Sequence, residues 1–300
     1  PGIILNILLL YLIKRFSAKS LGAYKYLLSI FAVYDIYLTI MHAIIDLGAV
    51  VTEHFYGVVS HNHLDTSKFT SAYGACFMTP FTLLNIHFLY RYWVIKYLFH
   101  SFFLNGTLYY FGGVFAKPRR LSFRYYICEY GLDTTEEGYA EARADLARQF
   151  NRSDIDGWFV YHDELRISAR TVGTILCYDV VMGVLTTSAA LLALLTFRQI
   201  QAETTLTFAD RHSQMRILLA VCIQTFVPFA FVYCPFLFFF NLPLVGFRLI
   251  WLAATVSPLV HSVFPALDAM VIILLMKDYR KGALLLIIGR QQRVVSIASQ

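Results

Sequence analysis

Ionisable side chains stand within or at the end of long apolar runs in this 300-residue chain, among them Asp35, Arg91 and Asp268. A charge at such depth is expensive unless it is paired or hydrated, so these residues point to charge pairing or switching inside a membrane. The groups that would support catalysis are not arranged for it. His61-Asn62-His63 has no third metal ligand at helical spacing, and the other histidines are scattered. Cys76, Cys128, Cys177, Cys222 and Cys234 lie far apart, with no CxxC pair. Neither GxxxxGK nor GxGxxG occurs, which removes the common phosphate-cradling loops. No enzyme, metal or cofactor is expected.

The elements that must hold these residues are membrane helices. Apolar residues make up 58% of the chain and charged ones 15%, against about 45–50% and about 25% in soluble domains. Mean hydropathy is +0.59. The 26 Phe and 20 Tyr suit lipid interfaces and apolar cavities alike. A span needs roughly 20 apolar residues, and such runs cover residues 26–51, 69–93, 170–197, 216–240 and 247–276. Residues 1–13 read as the back half of a first span, with an amino-terminal piece expected before them. Residues 97–116 form a weak fourth run, interrupted by His100, Asn105 and three glycines.

The expected fold is therefore an all-α membrane protein, a seven-transmembrane helix bundle with helix 1 truncated and helix 4 short or incomplete. Charge supports seven crossings over six. With the fourth crossing, 14 of the 25 basic residues fall on short inner segments, as cytoplasmic loops require. That placement makes topology a better account of the net charge of +6 than a nucleic-acid partner. Residues 117–169 become a long extracellular loop, in which Asn151-Arg152-Ser153 is a glycosylation acceptor. Within it, residues 136–149 read as a short amphipathic helix. Residues 277–300 become a cytoplasmic tail.

Four blocks resemble one family in the right order. They are Gly22-Ala23-Tyr24-Lys25-Tyr26-Leu27-Leu28; Phe88-Leu89-Tyr90-Arg91-Tyr92-Trp93; Gln224-Thr225-Phe226-Val227-Pro228 with Tyr233-Cys234-Pro235; and Phe264-Pro265-Ala266-Leu267-Asp268 with Lys277-Asp278-Tyr279-Arg280. Together they resemble the nematode serpentine seven-transmembrane chemoreceptors of the Str type. The resemblance implies an odorant-receptor-like G-protein-coupled receptor in the plasma membrane of sensory-neuron cilia. Its expected partners are a small odorant or soluble chemical, a heterotrimeric G protein and the lipid bilayer. Tyr90, Arg91 and Tyr92 would then form the coupling site, with Tyr90 where receptors usually keep an acid. The plainer alternative for Arg91 is a helix anchor that snorkels to water.

Asn6, Asp35, Pro265 and Asp268 are expected to form a polar switch network; each polar group bonding separately to backbone near Pro265 is the alternative. Pro228, Pro235 and Pro258 should permit kinks, since each lacks a backbone donor. Counting from the outer helix ends selects Asp46, Phe77, Met78, Phe81, Tyr178, Tyr233, Phe236, Trp251 and Thr255 as ligand-facing candidates, with lipid contact or packing the alternative for each. Cys76 and Cys128 are placed to form a disulfide over the cavity. Other readings of the whole chain are a transporter or channel, which would favour inverted repeats that the spans lack, and a non-functional receptor copy with a damaged fourth helix.

Overall fold

Apolar surface on nearly every face lets these helices pack on one another and still meet lipid. The structure, a computed structural model, describes residues 1–17, 21–22, 24–45, 47–51, 55–60, 74, 76, 79–96, 136–150, 157–161, 168–204, 206–241 and 250–298. The first helix, α1 (Gly2–Phe16), ends in Lys14 and Arg15. It is followed by α2 (Tyr24–Ile45) and, later, α3 (Thr79–Lys96). The expected fourth span over residues 97–116 lies outside the described residues. Among those described, Tyr24–Ile45, Ala169–Ala202 and Phe208–Asn241 are long and apolar enough to cross a bilayer.

The second apolar run does not remain helical to residue 51. Leu47–Val51 is a strand, β1, antiparallel to β2 (Phe55–Ser60), which in turn pairs with β3 (Gly157–Tyr161). This corrects the all-α expectation. Short runs of Val and Gly carry no periodicity that separates a strand from a helix end, and β-branched residues favour the pleated form. The amphipathic helix α4 (Glu136–Phe150) covers this sheet, burying Ala142 and Leu146 against Phe55 and Val59.

Two later helices outrun their apolar segments. Helix α5 (Ala169–Ala202) starts at Ser168, whose side chain accepts from the Thr171 amide. Helix α6 (Phe208–Pro228) starts at Thr207, which accepts from the Asp210 amide. These caps satisfy amide donors that hydropathy does not register. Past Pro228 the chain widens into a π-helical turn, Phe229–Tyr233, and continues as α7 (Cys234–Asn241). Pro228 and Pro235 thus bracket the widened turn. Missing proline amides interrupt the regular ladder, and π-turns are one way in which it is accommodated. The last apolar helix is α8 (Ile250–Leu275), with Pro258 and Pro265 in its interior.

Helix directions follow from specific contacts. Tyr24 meets Tyr90 and Arg91, whereas Tyr34 reaches the Cys76 carbonyl, so α2 and α3 are antiparallel. Helices α3 and α5 run parallel. Phe81 packs on Met182 and Asn85 bonds to Leu185, and Ser188 lies farther along. Gln214 reaches Arg91 and Tyr233 reaches Phe81, which makes the α6–α7 rod antiparallel to α3. One end of the bundle carries Arg91. The other carries the sheet, where the Tyr56 hydroxyl donates to the Phe240 carbonyl at 3.3 Å.

Asn85 is the polar clasp of the α3–α5 seam. Its Nδ2 donates to the Phe81 and Leu185 carbonyls at 2.9 Å each, and its Oδ1 accepts from Ser188 at 2.6 Å. Interhelical hydrogen bonds in membranes contribute about 0.6 kcal/mol apiece on average. Asn85→Leu should therefore cost only about 1–2 kcal/mol, read as a lower melting midpoint of purified protein with helix content unchanged.

The tail expected over residues 277–300 is mostly a helix, α9 (Lys277–Ala298). It docks against α1 at the Arg91 end. The Tyr279 hydroxyl lies 2.9 Å from Ser17 Oγ, and burial raises the phenol's pKa while this contact lowers it. A Cβ at Gly282 would fall 2.7 Å from the Phe16 ring, so the close approach needs glycine. Gly282→Val is expected to destabilise the docking by about 1–3 kcal/mol through overpacking, lowering cell-surface yield and bringing faster proteolysis after Met276.

Candidate functional site

Arg91 occupies the last two turns of α3, but its side chain turns into the bundle. It is 3% exposed, which corrects the snorkelling alternative. The guanidinium carbon lies 3.8 Å from the centroid of the Tyr24 ring on α2. Its Nη1 donates to Gln214 Oε1 on α6 at 3.3 Å. Nε and Nη2 have no hydrogen-bond partner among the described residues. A buried guanidinium held by an aromatic face and a neutral amide is under-satisfied.

The other residues of the motif support this clamp. Tyr90 stacks on Tyr24 with centroids 6.2 Å apart and planes at 18°. His87 is buried edge-on between Tyr24 and Phe31, at 5.6 and 5.4 Å. Tyr92 is partly buried, with the Lys96 ammonium 5.3 Å from its ring centre. Three helices therefore meet at Arg91: α2 through Tyr24, α3 itself and α6 through Gln214.

Halfway along the bundle, the expected polar residues fall into two groups. Asn6 donates to the Gly2 carbonyl at 3.0 Å and the Pro265 carbonyl at 2.9 Å, tying α1 to α8 through backbone. Asp35 and Asp268 lie within interaction range of one another, at 0% and 1% exposure. Asp268 Oδ2 accepts from Gln224 Nε2 at 3.1 Å. Both Asp35 oxygens and Asp268 Oδ1 have no donor among the described residues. Asn6 thus serves the Pro265 backbone, and the partner added to the carboxyl pair is Gln224.

At the sheet end, Phe81, Tyr178 and Tyr233 cluster with Met182, Leu185 and Phe229. Tyr178 lies 5.2 Å from Phe236, and Tyr233 lies 6.3 Å from Phe81 between ring centroids. Four aromatic candidates are thereby brought together between α3, α5 and the π-turn. Trp251, Thr255 and Pro258 belong to α8, with their side chains outside the described residues. Asp46, Phe77, Met78, Cys128 and Asn151 also lie outside the described residues. Cys76 is a buried free thiol, 3.7 Å from the Tyr37 hydroxyl, and the other half of the expected bridge, Cys128, lies outside the described residues.

Sequence reasoning missed four partners: Tyr24, Gln214, Gln224 and Asp179. Asp179 carried a visible signal, an acid within the apolar run of α5. Its Oδ2 accepts from Asn241 Nδ2 on α7 at 2.9 Å. The three neutral partners carried no charge to mark them, and although Tyr24 and Gln224 fall in blocks that resemble the family, nothing local assigns them to Arg91 or Asp268.

The sequence matches the model of the family "Serpentine type 7TM GPCR chemoreceptor Str" over residues 2–284. It is similar to "Serpentine receptor class r-10" of Caenorhabditis briggsae, 26% identical over 291 residues, covering 92% of this chain and 84% of that protein. The Caenorhabditis elegans protein of the same name is 24% identical over 303 residues, with 96% and 88% covered.

Proposed function

The chain belongs to the Str family of serpentine seven-transmembrane chemoreceptors, an integral membrane receptor family and not an enzyme family, and from that premise we propose how this member signals. It binds a small odorant or soluble chemical between the sheet-end halves of its helices and activates a heterotrimeric G protein at the Arg91 end. The single observation that carries this reading is Arg91 itself. It is buried and held from two other helices, and two of its donor nitrogens have no partner among the described residues. Such a group is ready to change partners when α6 moves.

The sheet end is outer in this reading and the Arg91 end inner. Parallel α3 and α5 support a further crossing between Lys96 and the start of α4 at Glu136, since the chain leaves α3 at one end and α4 packs on the sheet at the other. Seven spans follow, with α9 on the cytoplasmic side. Arg91, Tyr90 and Tyr92 serve coupling. Phe81, Tyr178, Tyr233 and Phe236 wall the cavity, and the π-turn between Pro228 and Pro235 is the hinge that relays binding to Gln214. Residence in sensory cilia is part of the same reading.

The test is reconstitution in nanodiscs with a heterotrimeric G protein. A chemical panel should contain at least one compound that accelerates nucleotide exchange and loses its effect with Arg91→Ala. Compound-driven flux in sealed proteoliposomes without exchange would replace this reading with a transporter.

A further inference from the structure

Asp179 is the one acidic residue of α5, and the coupling clamp makes no use of it. It lies ten residues after the helix start at Ala169, about 15 Å along the axis at 1.5 Å per residue. That places it inside the apolar part of the span. It is partly buried, on the flank facing α7. Asn241 gives one amide hydrogen to its Oδ2 and also donates from the same nitrogen to the Leu237 carbonyl at 3.0 Å. An amide can orient a carboxylate but leaves its charge in place. Among the described residues, no Lys, Arg or His forms an ion pair with Asp179.

The surroundings of this carboxylate are aromatic. Tyr178 precedes it and packs on Phe236. Tyr233 lies within the electrostatic reach of Asp179 and contacts Phe229 and Phe81. A carboxylate with no ion pair among the described residues, beside a cluster of aromatic rings at a helix seam, has the chemistry that recognises organic ammonium groups. The charge supplies the ion pair, and the rings supply cation–π attraction. A neutral ligand would leave the charge uncompensated, and an anionic one would be repelled.

We propose that the outer cavity binds a small organic cation, a protonated amine or quaternary ammonium, with Asp179 as its counter-ion and Tyr178, Tyr233 and Phe236 as its aromatic wall. The proposal rests on the receptor reading for the place of the cavity. Its test measures binding alone, so it stands or falls separately from G-protein coupling.

The probe is choline, compared with its uncharged isostere 3,3-dimethylbutan-1-ol at matched ionic strength, with the melting midpoint of the receptor in nanodiscs as readout. Choline should raise the midpoint saturably, while the alcohol should leave it unchanged. Asp179→Asn keeps an acceptor for Asn241, so the unliganded protein should melt as wild type while its apparent affinity for choline falls more than tenfold. Tyr233→Leu should weaken choline about three- to tenfold and serves as a second variant if the first folds poorly. Equal shifts from choline and the alcohol, no shift from choline, or unchanged choline affinity in Asp179→Asn would each overturn the proposal.

Discussion

Tyr24→Leu should raise ligand-independent nucleotide exchange by about ten- to thirtyfold, whereas Tyr24→Phe should stay near wild type. The ring face, 3.8 Å from the guanidinium carbon, is the strongest contact holding Arg91 inside the bundle. A desolvated cation–π contact contributes about 2 kcal/mol, equivalent to a factor of roughly thirty in the ratio of clamped to released receptor. The remaining tie, Nη1 to Gln214 at 3.3 Å, is long for a hydrogen bond and joins a neutral partner. Phenylalanine keeps the ring face and leucine removes it. Basal exchange in nanodiscs is the primary measurement, and modification of Arg91 by an arginine-specific reagent reports release without any G protein. If the leucine variant leaves Arg91 protected and exchange unchanged at equal receptor amount, the clamp has no restraining role.

The residues of this clamp mark the boundary of what can be read from the chain. Arg91, Asp35 and Asp268 are legible because a charge in an apolar run is anomalous wherever it is met. Tyr24 and Gln214 are not, since their role depends on which helix faces are brought together, and residues 67 and 123 positions from Arg91 carry no local sign of it. Among the described residues, the three helices long and apolar enough to cross a bilayer fall on hydropathic runs, but α5 and α6 extend past their apolar segments into capped, polar turns. The sheet was hidden for a different reason. Leu47–Val51 continues the apolar composition of α2, and only pairing with Phe55–Ser60 distinguishes it from more helix. Pro228 and Pro235 mark a disturbed helix, yet proline spacing does not say that the ladder widens into a π-turn between them.

Replacing both buried acids, Asp35→Asn with Asp268→Asn, should yield a receptor that is more heat-stable and at least tenfold less responsive to ligand. The two carboxyl groups face each other at the middle of the bundle with three oxygens lacking donors among the described residues. Burial without full pairing destabilises this arrangement, and replacing buried ionisable pairs by neutral groups is often stabilising by about 1–4 kcal/mol. Asn supplies donors that the carboxylates lack while retaining their shape. Gln224 on α6 donates to Asp268 Oδ2 through its amide nitrogen, and its Oε1 has no donor among the described residues. An amide at position 268 can donate to that oxygen, which would tighten the α6–α8 seam in its present form. A second state that relieves the carboxyl pair then loses its advantage, because a switch moves only as far as the two states differ in free energy. The measurement is ligand-stimulated exchange at equal surface expression together with the melting midpoint. Full responsiveness in the double variant would assign Asp35 and Asp268 to packing, whereas raised stability with lost response assigns them to the transition. The neighbouring clasp gives the control: Asn6→Leu removes the tie to the Pro265 carbonyl without touching either carboxyl, so it should lower the melting midpoint and leave the stabilising effect of the double variant intact.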